Sequence, residues 1–78
     1  MTTRPKHPMP SAVREALRKA GVADDYAARP DYQRNDYLGW IADAKLPDTK
    51  QKRIDQMVDE LRQGGVYMGM DHPPSAKD

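Results

Sequence analysis

The segment YLGWIADAKLPDTKQKRIDQMVDEL, residues 37–61, decides how this chain folds. Ile54, Met57, Val58 and Leu61 recur at i, i+3, i+4 and i+7 with charged residues between them, the apolar stripe of an amphipathic helix. Before it, Tyr37, Leu38, Trp40, Ile41 and Ala44 form the apolar face of another helix over residues 32–44, with Lys45 at its C-terminal end, where the helix dipole favours a cation. Leu46-Pro47-Asp48-Thr49 is the turn between them. Pro47 suits the first helical position, and Asp48 or Thr49 is the expected cap. The two helices should fold against each other through the indole and its aliphatic neighbours. The double glycine Gly64-Gly65 ends the second of them.

Upstream, Val13, Ala16, Leu17 and Ala20 make one more helical face, with Ser11 as expected N-cap, Glu15 in the first turn and Gly21 as stop. A short helix is expected over residues 22–28, carrying Ala23, Tyr26 and Ala27 on one side. Pro30 interrupts the pattern, and Asp31 is the expected cap of the helix that follows. No run alternates with period two, so strands are not expected. The reading is an all-α fold: three main helices and a short one over residues 10–65, a disordered lead over 1–9, and a flexible tail over 66–78. Within that tail Val66-Tyr-Met-Gly-Met70 is apolar, and either folds back on the helices or stays mobile; it is also the candidate surface for weak dimerisation of an otherwise monomeric chain. The expected core is Val13, Leu17, Tyr37, Leu38, Trp40, Ile41, Ile54, Met57, Val58 and Leu61.

Composition narrows the function. Hydrophobic residues are 37% and charged residues 32% of 78, so the core is small and each large apolar side chain counts. Cysteine is absent, which excludes disulfides, thiolate metal sites and cysteine nucleophiles, and favours a reducing, cytoplasmic setting. No stretch has the length of a membrane span or the apolar run of a signal peptide. With 13 basic and 12 acidic residues the net charge is +1, too little to attract nucleic acid or anionic lipid globally. A helix-turn-helix reader of DNA is disfavoured by Asp24, Asp25, Asp31, Asp36 and Asp43 on the helices that would face phosphate.

Catalytic signals are weak. His7 and His72 lie in proline-rich ends without a fixed partner, and no metal or other cofactor is expected. Ser11 and Ser75 have no neighbouring histidine in any nucleophile pattern. Asp55, Asp59 and Glu60 read as a solvated acidic strip. No glycine-rich phosphate loop is present, and an enzyme is not expected.

The informative oddity is Lys50, Lys52 and Arg53 in the first turns of the last helix, the end where the dipole disfavours cations. Two explanations stand. Arg53 and Lys50 pair with carboxylates of the preceding helix, such as Asp36 or Asp43, and clamp the hairpin. Alternatively Lys45, Thr49, Lys50 and Arg53, with free backbone N–H groups, cradle an anion such as a phosphate or a partner's carboxylate. Trp40 is similarly dual: a core anchor with Tyr37 and Ile41, or, if partly exposed, a binding hot spot for an unknown protein partner.

The spacing Tyr37-Leu-Gly-Trp-Ile41, Ala44-Lys45, Pro47-Asp-Thr-Lys50, Arg53-Ile54, then Leu61 and Gly64, resembles the bacteriocin-protection, YdeI/OmpD-associated family. The helix from Pro10 to Leu17 and the Tyr26…Arg29-Pro30 stretch resemble that family's helical module, so the likeness runs over residues 9–64. Lys50 stands where Arg is usual in the family and Leu46 where a second basic residue is common, which weakens bidentate anion recognition. Longer members carry a further domain ahead of the module. The resemblance implies a bacterial, non-enzymatic part in bacteriocin tolerance or stress and outer-membrane physiology; it implies no reaction and carries over no catalytic residue, and the lack of a signal-peptide pattern places the expected role in the cytoplasm.

Overall fold

A computed structural model describes residues 7–77. Helix α1, Ser11–Ala20, leads to the single turn and a half of α2, Ala23–Ala27; α3, Asp31–Ala42, and the long α4, Pro47–Gln63, follow. The helices obey the periodicity expected of them, but α1 and α3 start one residue earlier than capping by Ser11 and Asp31 would put them, and α4 two or three residues earlier than capping by Asp48 or Thr49 would. The N-caps are Pro10, Pro30 and Leu46, all with extended backbone and no side-chain cap bond. Proline already holds φ near the value needed there, so Ser11 and Asp31 become the first helical residues and not the caps. Asp31 instead pairs with Arg34 one turn on. At the other end of α1 the expected stop is present: Gly21 N–H bonds to Arg18 O and Val22 N–H to Leu17 O, both at 3.1 Å, the Schellman arrangement. Leu17 and Val22 are both buried.

The all-α expectation needs one correction. Beyond α4, β1, Val66–Tyr67, and β2, Met70–Asp71, pair antiparallel with Val66 opposite Asp71 and Tyr67 opposite Met70. A 3₁₀ turn, Pro73–Ser75, follows. The strands are two residues each, too short for any alternation to be read, and the turn uses Met68 at φ 52° and Gly69 at φ 78°. Positive φ at both central residues is the type I′ geometry that matches strand twist, but Met-Gly is not among the residue pairs that announce it. Of the two alternatives for Val66–Met70 the structure has the first: the segment packs back on the bundle, with Tyr67 and Met68 against the core.

The lead expected over 1–9 falls mostly outside the described residues. Of the rest, His7 N–H bonds to Asn35 Oδ1 at 2.8 Å, its ring lies against Gly39, and Met9 packs on the core.

The core is made where α4 meets α3, α1 and α2. Tyr37, Ile41, Met57, Leu61 and Val13 are at most 1% exposed, and Leu17, Leu38 and Ile54 join them. Trp40 and Val58, expected in the core, sit half-buried at its rim. Val22 and Tyr26 take interior places instead, because α2 turns its Val22–Tyr26 edge inward at i, i+4. No described helix is long and apolar enough to cross a membrane.

Candidate functional site

The polar organisation of the molecule centres on Glu60, which sequence reading places in a solvated strip. Glu60 is 5% exposed. It lies one turn after Met57, beside the apolar stripe of α4, where α3 and the hairpin turn cover it. Its carboxylate is met by four donors: Tyr37 Oη at 2.5 Å, the N–H groups of Met68 and Gly69 at 2.8 Å each, and Gln56 Nε2 at 3.1 Å. One side chain therefore ties α3, α4 and the hairpin turn together, and holds Met68 in a left-handed conformation that a non-glycine residue seldom adopts. Asp55 and Asp59 remain exposed, as expected.

Around this carboxylate stands a ring of aromatic groups. Tyr67 meets Tyr37 edge to face at 5.4 Å and Tyr32 at 6.0 Å, and its hydroxyl donates to Asp36 Oδ2 at 2.7 Å. Behind it, two polar side chains that sequence pattern does not mark as interior are buried. Arg29 is 5% exposed and Gln33 fully buried. Arg29 donates to Gln33 Oε1 at 3.2 Å and to the Glu60 carbonyl at 3.3 Å, and Gln33 Nε2 donates to Tyr32 Oη at 3.0 Å. Gln33 was legible in principle, being one turn before Tyr37 on the same face; its polarity hid it.

Burial, and then the bond to Glu60, push the Tyr37 hydroxyl far above the usual tyrosine range; burial also raises Tyr26, opposed by Arg34. A raised pKa means that the fold favours the neutral phenol. Its contribution is complete below about pH 10, where phenols ionise in the unfolded chain, and is lost as pH climbs from there towards the folded value. Stability measured by chemical denaturation should be flat from neutrality to about pH 10 and fall above it, with the fall reduced in Tyr37→Phe.

Residues 72–77 close one wall of a cleft of about 260 Å³, lined among others by Arg29, Leu61, His72, Ser75 and Lys77. Here too a correction is needed, for Ser75 does have a histidine neighbour: His72 Nδ1 lies 2.8 Å from its Oγ. The same oxygen accepts from Gly65 N–H at 3.2 Å and reaches the His72 carbonyl at 3.0 Å. A hydroxyl so engaged fastens the 3₁₀ turn; it has no lone pair and proton left for nucleophilic work.

At the opposite feature, the basic start of α4, Lys45, Lys50 and Lys52 are exposed and Thr49 is half-buried. Arg53 is turned away from them. Its Nη1 donates to the Trp40 carbonyl at 2.6 Å and its guanidinium lies 5.2 Å from the centre of the Trp40 ring. Arg53 does clamp α4 to α3, then, but through a carbonyl and an indole face where a carboxylate was expected. Asp36 is engaged by Tyr67 instead. Leu46, at the corner, is 65% exposed. Among the described residues no group of acidic, histidine or cysteine side chains converges as a metal site would require.

A four-helix module with a half-buried Trp-Arg pair at the α3–α4 corner is thus the class of protein the fold defines. The chain belongs to the Bacteriocin-protection, YdeI or OmpD-Associated family, whose model matches residues 6–64. Searches of curated proteins and of solved structures found no match.

Proposed function

We propose that the domain is a non-enzymatic protein-interaction module that serves bacteriocin tolerance or stress from the bacterial cytoplasm, and that the α3–α4 corner is the surface it offers. The observation that carries this reading is the state of Trp40: half-buried, stacked by Arg53 and flanked along the chain by Leu46 at 65% exposure. Trp and Arg dominate binding hot spots, and an indole already held by a guanidinium loses little freedom when a partner covers it. The family to which the chain belongs supports the biological setting.

The test is survival of bacteria challenged with a bacteriocin, with and without the protein, wild type against Trp40→Ala and Leu46→Asp. Leu46→Asp is the cleaner variant because the side chain is largely in water and its loss leaves the core intact. Protection by wild type that Leu46→Asp reduces at least tenfold is the expected result. Protection unaffected by both changes would refute the corner as the working surface, and no protection at all would refute the setting.

The exposed ammonium groups of Lys45, Lys50 and Lys52 favour a second reading, binding of a phosphate or polyanion at the same corner. Arg53, committed to Trp40, supplies little to it. Binding to heparin or RNA that weakens steeply with salt and is abolished by Lys50→Glu would favour this reading over the first.

A further inference from the structure

The cleft under the C-terminal segment is put to no use by the reading above, and it does not share a residue with the Trp40 corner. Arg29 is the informative member. It is only 5% exposed, yet its two hydrogen bonds go to neutral oxygens at 3.2 and 3.3 Å. Bonds from a charged donor to a charged acceptor usually measure about 2.7–2.9 Å. Among the described residues no carboxylate forms an ion pair with the guanidinium, whose two bonds go to the Gln33 amide oxygen and the Glu60 carbonyl. The Glu60 carboxylate, close along the network, is spent on Tyr37 and the hairpin turn. The other cation in the cleft, Lys77, has its own counter-ion in Asp25 at 3.2 Å. A buried positive charge beside an open cleft is thereby left without an anion of its own.

The geometry points to this cleft as a binding site for a small monocarboxylate with a short apolar body. The guanidinium fork suits a carboxylate. One uncompensated charge suits a monoanion better than a dianion such as phosphate, which the Asp25 carboxylate would also repel. About 260 Å³ holds an acid of a few carbons, and Ala28 and Leu61 offer the apolar wall for its chain. His72, its Nδ1 tied to Ser75, keeps its second ring nitrogen for a further contact.

The full chain, labelled with ¹⁵N, should be titrated with sodium propionate, sodium butyrate and sodium phosphate at equal ionic strength, following amide shifts. Saturable shifts at Arg29, His72 and Ser75 are expected with both acids, butyrate binding more tightly than propionate. Ala28→Leu, which fills the cleft from an exposed position, should weaken butyrate at least tenfold. Two further variants carry the argument if that one disturbs the fold: Asp25→Asn should tighten butyrate roughly fivefold and Lys77→Ala weaken it roughly fivefold, opposite signs that a merely structural role would not produce. Absence of saturable shifts with either acid, an equal response to phosphate, or the same direction of change in both charge variants would overturn the assignment.

Discussion

Replacing Glu60 by Ala is expected to remove about 3–5 kcal/mol of stability, most of what a domain of this size possesses. The expectation follows from what the change leaves behind. Tyr37 Oη and the Met68 and Gly69 N–H groups each point at the carboxylate and have been taken out of bulk water to do so. Each would then lack a partner at about 1–3 kcal/mol, with partial relief wherever the hairpin opens to solvent. The hairpin turn is the first part to open, since Met68 sits at positive φ against its own preference and is held there by the same carboxylate. Urea denaturation of Glu60→Ala should therefore show a lower midpoint and a smaller dependence on denaturant, because the native state has already released surface. The neighbouring Asp59→Ala, on the exposed side of α4, is the control and should lie within about 0.5 kcal/mol of wild type. Equal effects at the two positions would return Glu60 to the solvated strip that its charge suggests.

Gly64→Ala is expected to cost about 2–3 kcal/mol, against about 1 kcal/mol for Gly21→Ala, although both glycines end helices. Gly21, at φ 70° and ψ 27°, is ordinary left-handed helix with open space where a Cβ would go. Gly64, at φ 73° and ψ 160°, occupies a region almost closed to side chains. Its Cβ would also lie 2.7 Å from Lys77 Cγ and 3.0 Å from the Ser75 carbonyl. The lysine can swing away, but the carbonyl belongs to a turn fastened by the Ser75 hydroxyl. Thermal unfolding followed by circular dichroism separates the two variants. Equal losses would mean that the C-terminal segment does not press on Gly64 in solution.

These two sites show where sequence reading succeeds and where it stops. The i, i+3, i+4, i+7 patterns locate α1 and α4, and the face of α3 from Tyr37 to Ile41, because apolar residues at helical spacing have no better place to go than the core. The same rule misses Glu60, Gln33 and Arg29, whose polarity argues for solvent; Gln33 is satisfied by its near neighbours Arg29 and Tyr32, while Arg29 and Glu60 depend on partners further along the chain. Tyr37, for example, lies 23 residues from Glu60. The hairpin is missed for a related reason, since its turn is held by a helix carboxylate and not by turn-forming residues of its own. At the α3–α4 corner the placing of Lys45, Thr49, Lys50 and Arg53 around the start of α4 is legible from their spacing. The choice Arg53 makes, carbonyl and indole over Asp36 or Asp43, depends on side-chain geometry that spacing does not contain.

The family model ends at residue 64, and the two turn amides that hold Glu60 come at residues 68 and 69. The stretch that the family model covers and the stretch tied together through Glu60 are therefore different lengths. A protein trimmed at the edge of that stretch would keep every α-helix and lose half the donors of the Glu60 carboxylate, so its behaviour would understate how robust the whole chain is.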